Sequence, residues 1–208
     1  FKQSAETVNA YLTTPGQQYL ESIQSNSKLE TLKTIQRILK DERPETFADC
    51  VAWARLTFEK LFDNQIRQLL HNFPPDQVTT TGTKFWSGSK RCPKPLTFDV
   101  DDIDSEAGMR NHLDFVVAAA NLRAEMYGIE GRTTDEAYFR ETLADVIVPD
   151  FAPAEGVKIA ANDDEAKENA MDTTDDTEIA DIWQNLPKPD GFSLTAIEFD
   201  KDIDEHML

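Results

Sequence analysis

Thr79-Thr80-Thr81-Gly82-Thr83-Lys84-Phe85-Trp86-Ser87-Gly88-Ser89-Lys90-Arg91-Cys92-Pro93-Lys94-Pro95-Leu96-Thr97-Phe98-Asp99 reads neither as a helix nor as an ordinary linker. Pro93 and Pro95 forbid a continuous helix. Gly82 and Gly88 mark turns. Yet the stretch carries Phe85, Trp86 and Phe98, and linkers rarely hold large aromatics, which folding buries. It is read as an ordered, irregular wrap pinned by its aromatics. At 208 residues the chain can form one large domain or two small ones; the fold class expected is mainly α, an irregular multi-helix domain with a long ordered loop.

The segments on either side are helical by pattern. Ala5 to Leu12 presents Val8, Tyr11 and Leu12 on one face. Pro15 sits as an early residue of a helix bearing Tyr19, Leu20 and Ile23. Lys28 to Lys40 spaces Leu29, Leu32, Ile35, Ile38 and Leu39 at helical intervals and is broken at Pro44. Thr46 with Asp49 forms a variant capping box. It opens the strongest helix, with Phe47, Val51, Ala54, Phe58, Leu61 and Phe62 on its apolar side. A further helix with Ile66, Leu69, Leu70 and Phe73 stops at Pro74-Pro75.

Beyond the wrap and an acidic turn (Asp99 to Glu106), Met109 to Tyr127 predicts a helix with Leu113, Val116, Val117, Ala120 and Ala124 inside and Gly128 as its cap. Thr133 with Glu136 predicts the cap of another, carrying Tyr138, Phe139, Leu143 and Val146. Val157 to Ala161 reads as a short strand. Residues 162–181 hold nine acids against one lysine and read as a partly mobile acidic loop. A short helix follows on Ile179, Ile182, Trp183 and Leu186. Phe192 to Phe199 alternates as a strand does, completing a few short β-strands in all. The division expected is 1–190 as the helical body and 191–208 as a strand and acidic turn. Phe98-Asp99 with His112-Leu113-Asp114 is echoed by Phe199-Asp200 with His206-Met207-Leu208. A second such helix would begin there, and the first residue is Phe, so the chain is expected to be a piece of something longer.

Composition narrows function. The formal net charge is −18. That argues against nucleic acid or an anionic membrane as partner and leaves a basic protein open, with solubility as the plain alternative. No apolar run approaches a membrane span. Cys50 falls on an apolar helix face and reads as core. Cys92 follows Lys90 and Arg91, and cations lower a thiol pKa, but activation also needs a base, so it is not taken as a nucleophile. Two free thiols fit a reducing compartment, although a bridge between them stays open. No Cys-x-x-Cys pair or spaced histidines offer a metal site; His71 reads as a capping or packing residue. No phosphate-binding glycine loop and no nucleophile elbow occur. Asn162-Asp163, after the predicted strand, is by composition a turn pair.

Longer motifs carry a resemblance. Gln68-Leu69-Leu70-His71-Asn72-Phe73-Pro74-Pro75-Asp76, Phe85 through Asp99, Ala5 through Leu12, and His112 through Leu122 resemble the ubiquitin-activating enzyme family, and the likeness runs on through Phe199-Asp200-Lys201-Asp202. The region resembled is the second catalytic cysteine half-domain, a mainly helical insert in the adenylation domain. The resemblance implies an ATP-dependent enzyme forming a ubiquitin thioester, in the cytoplasm and nucleus. Its partners would be ubiquitin, conjugating enzymes and the remaining domains of the parent chain. It also implies that the catalytic cysteine and the site for ATP and Mg lie outside this chain, which would hold no cofactor and be inactive alone. Lys158-Ile159-Ala160-Ala161-Asn162-Asp163 matches a Lys-Ile strand and Asn-Asp pair beside the thioester. By that match Asn162 is a donor toward the developing oxyanion, and Asp163 tunes proton transfer or orientation. The chain would frame the cysteine, or serve as an acidic docking module for conjugating enzymes. A blander reading is an acidic helical interaction domain.

Overall fold

The computed structural model describes residues 1–14, 16–79, 81–103, 110–156 and 176–198. Over these the protein is mainly helical and has no sheet; Val78 and Lys84 form an isolated antiparallel bridge. Two apolar cores organise it, joined by one long helix.

The first core gathers α1 (Lys2–Thr13), α2 (Gly16–Ser22), α3 (Lys28–Gln36) and α8 (Asp176–Asn185). Ala5, Val8, Tyr11, Leu32 and Ile35 are fully or almost fully buried in it. Tyr11 meets Tyr19 and Trp183 edge to face, at 5.5 and 5.8 Å between ring centres. α3 runs into a wider π-helical turn, Arg37–Asp41, which still buries Ile38 and Leu39. α8 begins at Asp176, so the last six residues of the expected acidic loop are helical. Ile179, Ile182 and Leu186 supply its buried side, and Asp176 and Glu178 lie in its first turn, where the helix dipole favours anions.

The second core lies between α4 (Phe47–Phe58), α6 (Asn111–Tyr127) and α7 (Glu136–Ala144). The capping box at Thr46 and Asp49 is formed as the sequence predicts. Burial alone would raise the Asp49 carboxyl; N–H groups of Glu45 and Thr46 and the Thr46 hydroxyl outweigh it and hold its pKa below the ordinary value. At α7 the cap is Asp135, not Thr133: its carboxylate accepts from Ala137 N, while Thr133 Oγ1 accepts from Asp135 N. α6 ends at Gly128 with φ 68°, a left-handed backbone that favours glycine and lets its N–H reach the last carbonyls. α6 also links the cores. Leu113, Val116, Ala119, Ala120 and Ala124 face the second, and Leu122, Met126 and Tyr127 the first.

α4 does not run straight into α5 (Gln65–Asn72). A π-helical turn, Glu59–Asn64, intervenes. One extra residue per turn rotates the helix face by about 100°. This is why Leu61, expected inside, is 40% exposed while Asp63 is only 3% exposed. Arg67 Nε donates to Asp63 Oδ2 at 2.6 Å.

A further sequence expectation fails among the described residues. Phe192 to Glu198 pairs with no strand. Leu194 and Ile197 are its buried members, a three-residue interval that no flat strand gives. Leu194 instead exchanges hydrogen bonds with the Asn9 side chain (2.8 and 2.7 Å), and Thr195 N donates to Met126 O. The predicted strand Val157–Ala161, most of the acidic loop, Pro15, and the Phe199-to-Leu208 part of the internal echo lie outside the described residues.

Candidate functional site

The wrap is ordered by its aromatics. Phe85 stacks on Phe73 of the α5 terminus, with centres 4.7 Å apart and planes 4° from parallel. Trp86 Nε1 donates to the carbonyls of Phe73 and Pro74 at 3.0 and 3.2 Å, and its ring meets Phe85 edge to face. Phe85 N donates to Gln77 O, and Leu96 N to Phe62 O, each at 2.9 Å. At the far end Phe98 packs on Phe58 and His112. His112 Nδ1 accepts from Asp99 N at 3.0 Å, so this histidine is a structural acceptor tying the wrap to α6. His71 closes α5, with Nε2 3.4 Å from Glu155.

A second constellation sits where the cores meet. Arg123, 2% exposed, lies on the inner side of α6. Its guanidinium is 4.0 Å from the Trp53 ring centre and 5.0 Å from that of Tyr127, and it donates to Glu42 O. Glu42 Oε2 accepts from Trp53 Nε1 at 2.9 Å and Arg37 at 3.2 Å. Tyr127 O–H donates to Ile38 O at 2.9 Å. Burial pushes the Cys50 thiol up to about 11 despite the opposing pull of Arg123, and pushes the Tyr127 hydroxyl up to about 12. Such a thiol stays protonated at neutral pH and is a packing group. Sequence reading missed Arg123 because a cation in an apolar helical pattern is ordinarily assigned to the solvent face; only Trp53, Tyr127 and Glu42 together make its burial tolerable.

Cys92 is exposed, and its Sγ lies 3.8 Å from Pro93 O; among the described residues no base contacts it. The two cysteines are free thiols. Among the described residues no group of three or more His, Cys, Asp and Glu could hold a metal ion, and no helix is long and apolar enough to cross a membrane. Asn162 and Asp163, the pair singled out from sequence, lie outside the described residues.

The fold therefore defines a two-core helical module whose polar residues mostly serve architecture. Its relatives say which one. The family profile "Ubiquitin-activating enzyme, SCCH domain" matches residues 1–208, and the chain belongs to that family. It is 46% identical over 213 residues to human "Ubiquitin-like modifier-activating enzyme 1", covering 100% of this chain and 19% of that protein. It is 45% identical to the protein of that name from Dictyostelium discoideum and 44% identical to "Ubiquitin-activating enzyme E1 1" of Candida albicans (strain WO-1), over 98% of this chain and 20% of each relative. The chain spans about a fifth of the length of the curated relatives it matches.

Proposed function

We propose that this chain is the helical part of a ubiquitin-activating enzyme that frames the thioester cysteine during ATP-dependent activation of ubiquitin and its transfer to a conjugating enzyme. The observation that carries the reading is the family match along the whole chain. In it, residues 1–190 are the helical insert and 191–208 the return to the adenylation domain. The nucleophile, ATP and Mg belong to the rest of the enzyme, which works in the cytoplasm and nucleus; this chain alone is inactive. Attack on an adenylate needs reacting atoms within about 3.5 Å, so a framing module must swing as a body. The shared α6 and the buried Arg123–Glu42–Trp53 cluster favour that, because they tie both cores together.

Within this reading Asn162 donates its amide N–H to the oxyanion that develops on the acyl carbon. The Asp163 carboxylate orients the thiol or accepts its proton. In the full-length enzyme Asn162→Ala and Asp163→Ala should each slow single-turnover thioester formation at least about tenfold and leave adenylate formation intact. Thioester rates unchanged from the parent in both variants would remove the pair from the site. The acidic excess supports a second role, docking of basic conjugating enzymes. It requires binding to this chain that weakens with salt.

A further inference from the structure

From Gln77 through Phe98 the sequence contains no acid and four bases, Lys84, Lys90, Arg91 and Lys94, in a chain of 39 acids and 21 Lys or Arg. All four bases are exposed. Outside the wrap the described arginines are all engaged within the protein, although lysines such as Lys40 and Lys60 stand exposed. Arg55, Arg67, Arg110, Arg132 and Arg140 each pair with a carboxylate, and Arg43 and Lys188 lie over Phe192 and Tyr11. Among the described residues Lys84, Arg91 and Lys94 enter no ion pair. Lys90 Nζ lies 4.4 Å above the Phe85 ring, which itself stacks on Phe73. Beside these cations Val78 is 55% and Leu96 44% exposed.

We propose that the exposed basic stretch of the wrap docks an acidic segment of a partner protein, one that also carries apolar side chains. Three observations combine. The cations are presented on a scaffold held by ring stacking and Trp86 hydrogen bonds, so little ordering entropy is lost on contact. Lys84, Arg91 and Lys94 enter no ion pair among the described residues although acids abound in the chain, so their field is available to a partner. Val78 and Leu96 supply apolar contact that a phosphate backbone would not use. A long polyanion would also feel the −18 net charge of the molecule, whereas a short acidic segment responds to the local sign within a Debye length of about 8–10 Å. The surface is opposite in charge to the bulk of the protein and so selects a different partner from any that the acidic faces attract.

The test uses the 208-residue chain and a labelled peptide of Glu-Glu-Leu repeats, read by fluorescence anisotropy. Saturable binding at low salt is expected, weakening as salt rises. The triple variant Lys84→Glu/Arg91→Glu/Lys94→Glu should bind at least about tenfold more weakly; the exposed control Lys40→Glu/Lys60→Glu should bind as the parent does. Equal thermal midpoints confirm that both variants fold. Replacing Leu96 with Ser should weaken the peptide further without touching charge. No saturable binding, an equal loss in the control variant, or tighter binding of a single-stranded oligonucleotide than of the peptide would each overturn the proposal.

Discussion

α4 against α6, and α5 with the wrap, are neighbours in sequence held by different forces. In the α4–α6–α7 core Cys50, Val51, Ala54, Val116, Ala120, Ala124 and Phe139 have no exposed surface. In the second strip α5 buries no side chain completely, although Ile66, Leu69 and Leu70 follow helical spacing. Among the described residues the wrap beyond it is secured by the ring contacts of Phe85, Trp86 and Phe98, by the bonds of the Trp86 indole and the His112 ring, and by a few backbone bonds. The first region draws its stability from removing aliphatic area from water; the second depends on directional contacts at the surface. Burial scales with area, at about 25 cal/mol per Å², whereas each directional contact contributes about 1 kcal/mol. The two should therefore differ in how they fail: the core all at once, the wrap locally.

The strongest way to break the contrast is Phe139→Ala. Phe139 is fully buried and meets Phe47 edge to face at 5.9 Å. Its loss leaves a cavity among three helices and should cost about 3–5 kcal/mol, read as a lower denaturant midpoint by both far-UV and tryptophan signals. A cost below about 1 kcal/mol would mean that the helices collapse onto the gap and that the second core is loosely packed.

Alkaline pH sharpens the contrast next. The Cys50 thiol rises from an ordinary 9.0 to about 11 in the folded protein, first because it is buried. The neutral thiol is the form the fold favours. Its contribution is therefore whole below pH 9, and above it the unfolded chain ionises first. Stability should fall by about 1 kcal/mol per pH unit until the folded thiol titrates near 11. Tyr127 extends the loss from an ordinary 10.0 to about 12. Cys50→Ala should flatten the slope between pH 9 and 10 and leave the Tyr127 part. An unchanged slope would show that Cys50 is not protected by this core.

How much of this was legible depended on whether a signal was local. The Thr46–Asp49 box and the Gly128 cap need only a few adjacent residues, and both are formed. Phe85 and Trp86 marked an ordered wrap because their size is hard to leave in water. The register change at Glu59–Asn64 carries no local mark: Phe58 and Phe62 still meet each other and Phe115 across it, while Leu61 turns out and Asp63 turns in. Alternation from Phe192 to Phe199 suggested a strand, yet no partner ladder exists among the described residues, and Asn9 and Met126 O take up its backbone groups instead. At α7 two adjacent caps competed, and Asp135, the stronger acceptor, took the helix. As for the candidate site, Asn162 and Asp163 were legible only through a longer resemblance, since a turn pair has no chemical signature of its own.

The smallest expected effect tests the wrap itself. Trp86→Ala removes the bonds to Phe73 O and Pro74 O and the edge contact with Phe85, but opens no aliphatic core. Global stability should change by less than about 1 kcal/mol. Amide exchange should tell a different story. Phe85 N and Leu96 N, bonded to Gln77 O and Phe62 O, should exchange at least about fivefold faster, while amides in the middle of α6 keep their protection. Trp86→Phe retains a ring but not the indole donor, and should fall between the two. If Trp86→Ala lowered the midpoint as far as Phe139→Ala does, the wrap would be cooperative with the core. The division between an area-stabilised body and a contact-stabilised surface strip would then be untenable.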